Sequence, residues 1–555
     1  MFKTFYISVG FLYSSKVNLY LRNMRKLQIL ASVILALGCT SFLTSGKKHG
    51  GKPSTVKPLE VANTTLSMEE TFAVKHPKRE LRSAWITTFT NLDWPSKRGL
   101  TSAQQKEEFM QIINDFEANS INAVIGQVRA SSDAFYKSKF SPWSEWLTGT
   151  QGKAPDNDFD PLTFMVEECH KRNMEFHAWF NPFRAVSHIR FSSVADDHIT
   201  KRKPEWFFQY GNSVYYNPGI PEVRKYICDI VKEVVQNYDI DGVHFDDYFY
   251  PYSIEGESIP DEKEFQKYAR GCDDIHNWRR DNINLLIQEV NQTIKKEKAY
   301  VKFGVSPLAI WRNKKQDPMG SYTNSGQTSF DNLYCDTKLW IEQNWVDYMA
   351  PQLYWSTSNQ FANFNHLINW WTAHEIERHL YVGHAIYKLD TRNRRSFGTD
   401  ELIKQVGISR SNDKVQGSIY FRAKAFVSNH QNFQQTISES IYKYPSLIPA
   451  MTWLDSVAPS EPLRFKARLK DEQITLKWRA PKYESAQDSA AYYVVYRFNE
   501  GESINLNLSN KIISIQKETS FIDSSASIEK CYQYAVTAVD RLHNESEKFA
   551  YTELK

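Results

Sequence analysis

Two adjacent carboxylates, Asp246 and Asp247, close a short apolar run, Gly242-Val-His-Phe245, and Tyr248-Phe-Tyr-Pro-Tyr252 follows at once. An apolar strand ending in acids is how a barrel of alternating strands and helices carries its chemistry, since such sites gather at the C-terminal strand ends. Close carboxylates repel, so one is held protonated near neutral pH while its neighbour stays charged. That division suits cleavage of a glycosidic bond, in which one group protonates the leaving oxygen and another stabilises positive charge at the anomeric carbon. On an ideal pleat both acids cannot point inward, but at the strand end the chain turns and both can reach the mouth. A plainer reading has Asp246 capping the next helix and Asp247 solvated. His244, on the same strand face as Asp246 under period-two alternation, weighs against it.

The other strand ends supply a rim of polar and aromatic groups. With Asp246 and Asp247 as candidate catalytic residues, the candidate substrate-binding set is Asp93, Arg129, Asn181, Arg184, His244, Tyr248, Arg312, Gln352, Tyr354, Trp355 and His384, beside Asn91 and Ser306. Arg129 would hold a neighbouring Asp ionised, and Asn181 and Gln352 would bond sugar hydroxyls or an acetamido group. Tyr248, Trp311, Trp340, Tyr354 and Trp355 would stack on rings. Each has a structural alternative: an ion pair for Arg129, an Asn-Pro turn for Asn181, a core histidine for His244, a turn or cap for Asp93, packing for Trp355. The chain lacks an HExxH motif, a paired His cluster, a Cys ligand set and a GxSxG elbow, so no metal, cofactor or serine nucleophile is called for.

Positioning these groups takes eight strands alternating with helices between about residues 80 and 450, the pattern of parallel β/α units. The expected strands are 82–89, 123–128, 176–180, 242–245, 302–306, 348–353, 380–384 and 417–421. Helices are expected over 103–119, 161–173, 223–238 and 278–295, each with apolar residues at helical spacing, such as Phe109, Ile112, Ile113 and Phe116. The fold class is therefore α/β, a (β/α)8 barrel over 78–455. A doubly wound sheet is the alternative, but no glycine-rich phosphate loop follows the first strand. Over 459–555 the runs Ile474-Thr-Leu-Lys-Trp478, Tyr492-Tyr-Val-Val-Tyr-Arg497 and Tyr532-Gln-Tyr-Ala-Val-Thr-Ala-Val539 alternate like strands of an antiparallel sandwich, and Trp478 with the Tyr534–Asp540 run resembles a fibronectin type III domain.

The chain has 555 residues and a net charge of +4 from 68 basic and 64 acidic side chains, without a long Lys/Arg run, so nucleic acid is not an indicated partner. Aromatics make up 14 %, with 15 Trp, which favours a carbohydrate-type ligand. Met24-Arg-Lys followed by the apolar Leu27–Leu37 has signal-peptide form, too short to favour a spanning helix. The run ends Ala36-Leu-Gly-Cys39, which resembles a lipobox. Residues 1–39 then read as a lipoprotein leader starting at Met24, Cys39 as the lipidated residue, and 40–77 as a polar tether. The expected location is the cell envelope, with the membrane reached through the lipid. The other cysteines, 169, 228, 272, 335 and 531, show no framework spacing and are expected buried and free.

From Lys78 to Asp455 the chain resembles the glycosyl hydrolase-like 10 family. The matching runs are Arg82-Ser-Ala-Trp-Ile-Thr-Thr with Asn91-Leu-Asp-Trp-Pro-Ser96; Gln127-Val-Arg129 with Asp133-Ala-Phe-Tyr136; Ser141-Pro-Trp-Ser-Glu-Trp-Leu-Thr-Gly149; Glu175-Phe-His-Ala-Trp-Phe-Asn-Pro182; Asp241-Gly-Val-His-Phe-Asp-Asp-Tyr248; and Ala350-Pro-Gln-Leu-Tyr-Trp355. The resemblance implies a glycosidase-related barrel, an envelope role, the fourth-strand acids at Asp246 and Asp247, and a polysaccharide substrate such as peptidoglycan glycan strands that have lost their stem peptides. Asp133, Glu145 and Asp336 are candidates for a second catalytic carboxylate. With an N-acetylated substrate the sugar's own carbonyl could serve as nucleophile instead. The alternative function is a non-catalytic, glycan-binding surface lipoprotein.

Overall fold

The structure is a computed structural model that describes residues 75–374, 377–483, 485 and 488–554. The leader, Cys39 and the tether up to residue 74 lie outside the described residues. Eight parallel strands close into a barrel: β1 Leu81–Ile86, β2 Ala123–Arg129, β3 Glu175–Phe180, β4 Gly242–Phe245, β5 Lys302–Val305, β6 Tyr348–Met349, β7 His379–His384 and β8 Gly417–Tyr420. Each strand pairs with its sequence neighbours, and β8 closes on β1 through Leu81↔Gly417 to Ala84↔Tyr420. The expected eight strands are all present, but β6 stops at Met349 rather than Leu353. Gln352 makes only isolated bridges to Leu308 and Gly383, because the chain there leaves the ladder to build the mouth.

The helices follow from capping and apolar spacing. α1, Ser102–Ala118, starts at a Thr101/Gln104 capping box and buries Phe109, Ile112, Ile113 and Phe116. α2 Pro161–Lys171, α3 Pro221–Asn237 and α4 Ile275–Glu297 cover the next strands. No helix among the described residues is long and apolar enough to cross a membrane. Cys169, Cys228 and Cys335 are buried and free, whereas Cys272 and Cys531 are free but only half-buried.

The barrel axis is filled by large side chains opposite glycines. A Cβ on Gly242 would stand 2.7 Å from His177 Nδ1, and one on Gly304 would overlap the Tyr348 ring. This close approach allows a polar chain down the axis. Trp85 Nε1 can only donate, and it meets His244 Nε2 at 3.2 Å, so the His244 proton sits on Nδ1 and is given to the Tyr348 hydroxyl at 3.0 Å. Tyr348 then donates to His177 Nδ1 at 2.8 Å, and His177 Nε2 donates to Glu175 at 2.9 Å. At the N-terminal end Glu175 also meets Lys302 Nζ, and His543 Nε2 at 2.6 Å.

His543 belongs to the C-terminal sandwich, a fibronectin type III-like pair of antiparallel sheets. Strands Leu463–Lys470, Gln473–Arg479 and Ser520–Asp523 form one sheet. Ile512–Gln516, Tyr492–Asn499, Tyr532–Val539 and Ala550–Leu554, in that order, form the other. Ile474, Leu476 and Trp478 alternate into its core, as expected of a strand with one wet face. Tyr492–Tyr496 does not alternate: Tyr493 and Val495 face the sandwich core, while Tyr492, Val494 and Tyr496 pack with Leu447 beyond the barrel. The sandwich is thus docked on the N-terminal end of the barrel. Ion pairs from Lys78 to Glu545 at 2.6 Å and from Arg541 to Asp241 at 3.1 Å accompany the contact.

Candidate active site

At the opposite, C-terminal end the chain leaving β4 turns so that both acids reach one cavity of about 300 Å3. Asp246 accepts three hydrogen bonds, from Trp179 Nε1 at 3.0 Å, Asn181 Nδ2 at 3.1 Å and its own loop's Tyr248 N at 3.0 Å. Asp247 accepts from Gln352 Nε2 at 3.0 Å and from the Tyr252 hydroxyl. Trp85, Trp179, Tyr354 and Phe421 wall the cavity with rings, and Thr87, Gln127, Arg184 and Ser306 add polar atoms. Tyr354 and Phe421 lie nearly parallel, with centroids 5.9 Å apart. Flat apolar walls with a few aimed polar groups suit a sugar ring.

Burial pushes the Asp246 carboxyl up to about 6, and the neighbouring Asp247 charge adds to the push, opposed by the Arg184 guanidinium. Burial also raises Asp247, opposed by its bonds to Tyr252 and Gln352. The donors decide where a shared proton rests. Indole, amide and backbone N–H groups can only donate, so Asp246 is built to be a carboxylate. The Tyr252 hydroxyl can rotate to accept, so Asp247 can hold the proton against it. Burial and the Asp247 charge push the Tyr252 phenol upward, which keeps it a neutral hydroxyl. Arg184 sits over the rings of Phe89 at 4.4 Å and Tyr248 at 4.7 Å, a cation held beside the pair without neutralising it.

Of the expected rim, Arg184, Tyr248, Ser306, Gln352 and Tyr354 line this cavity with the two acids. Asn181 is present in another capacity: its amide bonds Asp246, and its oxygen takes Arg184 N at 2.8 Å, so it positions the site. Arg129 is displaced. It is buried and spent on Asn181 O at 3.1 Å, Ser132 Oγ at 3.3 Å and Tyr216 OH at 3.1 Å. The cause is a register shift between Gln127 and Arg129 against β3, which breaks the period of two and leaves Gln127 on the cavity wall. Arg184 takes the electrostatic role expected of Arg129.

His244 is the floor beneath the cavity, bonded to Trp85, and burial holds it well below the usual imidazole range. His384 points away from the mouth, bonding Gln405 Oε1 at 3.2 Å and Ser418 Oγ at 3.2 Å. Asp93 ties the loop after β1 to that after β8, accepting from Thr87 N at 2.8 Å and Lys424 N at 3.0 Å. Arg312 is paired with Asp317 at 2.8 Å and Asp331 at 3.0 Å. Trp311 and Trp340 belong to the core, and Trp355 lines a neighbouring cavity.

None of the three candidates for a further acid reaches the pair's cavity. Asp133 accepts from Ser144 Oγ at 2.6 Å, Glu145 pairs with Arg98 at 2.9 Å, and Asp336 caps the helix Thr337–Glu342. Among the described residues Asp246 and Asp247 are the only acids lining it. Trp85, Trp179, Gln127, Tyr252 and Phe421 are lining residues that strand-end reading missed. A signal existed for Trp179: it lies two residues before Asn181 and so on the same strand face.

A closed parallel barrel with a buried acid pair in an aromatic cavity at its C-terminal end defines a glycosidase-type enzyme. The chain belongs to the glycosyl hydrolase-like 10 family, whose model matches residues 80–397. It is 42 % identical over 473 residues to the glycosyl hydrolase YngK of Bacillus subtilis, covering 84 % of this chain and 92 % of that protein. It is 35 % identical over 382 residues to the glycosyl hydrolase DigH of Escherichia coli K12, covering 64 % of this chain and 86 % of the relative.

Proposed function

We propose that the protein hydrolyses an N-acetylated envelope polysaccharide, with peptide-free peptidoglycan strands as the leading candidate, by a substrate-assisted route. Asp247 gives the proton to the leaving oxygen. Asp246, held ionised by its three donors, orients the acetamido group and stabilises the positive charge. The observation that carries this reading is the acid pair alone in its cavity: with Asp246 engaged by three donors and no carboxylate beyond the pair lining it among the described residues, the nucleophile's part is left to the sugar's own carbonyl. Incubating the protein with peptide-free strands should release new reducing ends, and chemically de-N-acetylated strands should yield at least about 100-fold fewer, on the scale of one lost catalytic group. Equal cleavage of both would exclude the substrate-assisted route.

The leader Met24–Cys39 supports an envelope-facing lipoprotein, anchored through Cys39 and delivering the barrel to the substrate on a tether. When the full chain is expressed in a bacterium, labelled palmitate should enter the protein and be lost in Cys39→Ser. Labelling of that variant would reject the anchor.

A further inference from the structure

A second cavity, of about 500 Å3, opens beside the first. Tyr354 walls the acid pair's cavity, and the next residue, Trp355, lines this one. Lys388, only 8 % exposed, donates its ammonium to the Tyr354 backbone oxygen, on the wall between the two. Arg395 lines the same cavity. Among the described residues neither cation forms an ion pair with a carboxylate, and burial together with Arg395 pushes the Lys388 ammonium down to about 8.

The cavity's own acid, Glu401, is already occupied. Its oxygens take Thr357 N at 2.6 Å, Thr357 Oγ1 at 2.8 Å and Gln405 Nε2 at 2.9 Å. Two cations near each other, one of them desolvated, carry a cost that an anion placed with them removes. Phe361, 60 % exposed, and the half-buried Trp355 add ring faces to the same cavity. Cations alone would suit many anions. Cations with aromatic faces, next to a cavity shaped for a sugar, narrow the ligand to an acidic sugar.

We propose that this cavity is a glycan subsite for a sugar bearing a carboxylate, with Lys388 and Arg395 holding the carboxylate and Trp355 and Phe361 flanking the ring. The inference rests on the glycosidase reading and names the class of glycan that the site selects: one with acidic sugars in the chain that it cuts.

Calorimetric binding to the Asp247→Asn protein separates the two, because it needs no turnover. The probes are a tetrasaccharide from peptide-free peptidoglycan, with free carboxylates, and the same compound after amidation. The free acid should bind about tenfold more tightly, the scale of one charge-assisted contact. That preference should collapse to about unity in Lys388→Met and in the exposed Arg395→Ala, which leaves the fold untouched. Equal affinity for the two probes, or an undiminished preference in Arg395→Ala, overturns the subsite. If the wild-type protein cleaves strands without a carboxylate preference in binding, this inference alone fails. If the preference is present without cleavage, the glycosidase reading alone fails.

Discussion

Asp247→Asn is expected to lower the rate of glycan cleavage about 1,000-fold, within the range that a positioned general acid contributes. Asparagine keeps the volume of the side chain, its oxygen can still accept from Gln352 and its amide can donate to a rotated Tyr252 hydroxyl, but it has no acidic proton to give. The parent's rate should peak over the pH range in which the pair holds one proton. It falls on the acid side as Asp246, relieved of the Asp247 charge, becomes protonated, and on the alkaline side as Asp247, raised by burial, loses its proton. The two limbs report the pair rather than either residue alone. In Asp247→Asn the alkaline limb should vanish together with the activity. Asp246→Asn should be comparably slow for another reason, since its amide cannot accept from Trp179, Asn181 and Tyr248 together. Unfolding is separable from lost chemistry. Asp247→Asn replaces a buried acid with a neutral group of the same volume, so its melting temperature should match the parent's, and exceed it at the alkaline pH where Asp247 would be ionised. A variant that keeps more than about a tenth of the rate would remove Asp247 from the acid's role.

Lys302→Met is expected to cost about 3–5 kcal/mol of stability, the usual result of leaving a buried charge without its partner. Glu175 lies at the closed end of the barrel with Lys302, His177 and His543 around it. Burial would push its carboxyl up, but the Lys302 ammonium and His543 outweigh burial and hold it well below 4.5. A depressed carboxyl contributes stability that is fully present above the unfolded value and is lost as pH falls through the folded one. The parent should therefore weaken below about pH 4.5. In Lys302→Met the sign reverses: with its partner gone, burial raises Glu175, and the variant loses stability as pH rises. Urea midpoints measured from about pH 2 to 8 read both effects. A loss under about 1 kcal/mol, or pH slopes of equal sign, would show that the network is not an electrostatic tie. Adding Glu175→Gln to Lys302→Met should restore part of the loss, because the remaining group is then neutral.

The amino-acid sequence determined the strands and the acid pair. A parallel barrel strand is buried on both faces and reads as a short apolar run between breakers, so all eight were visible, and Gly242–Phe245 came out residue for residue. Helix faces such as Phe109–Phe116 were visible for the same reason of spacing. Only the tertiary structure decided which strand-end residues meet. Alternation tells where a side chain points while the register is unbroken, and the shift between Gln127 and Arg129 exchanges the residue on the cavity wall. It also cannot say what stands opposite. Trp179 finds Asp246 across 67 positions, and His543 reaches Glu175 across 368. The Tyr492–Tyr496 strand is buried on its outer face because the sandwich docks on the barrel, a contact with no local signature. The chain itself placed two acids at a strand end. Closure of the barrel gave one of them three obligate donors and the other a hydroxyl able to share a proton.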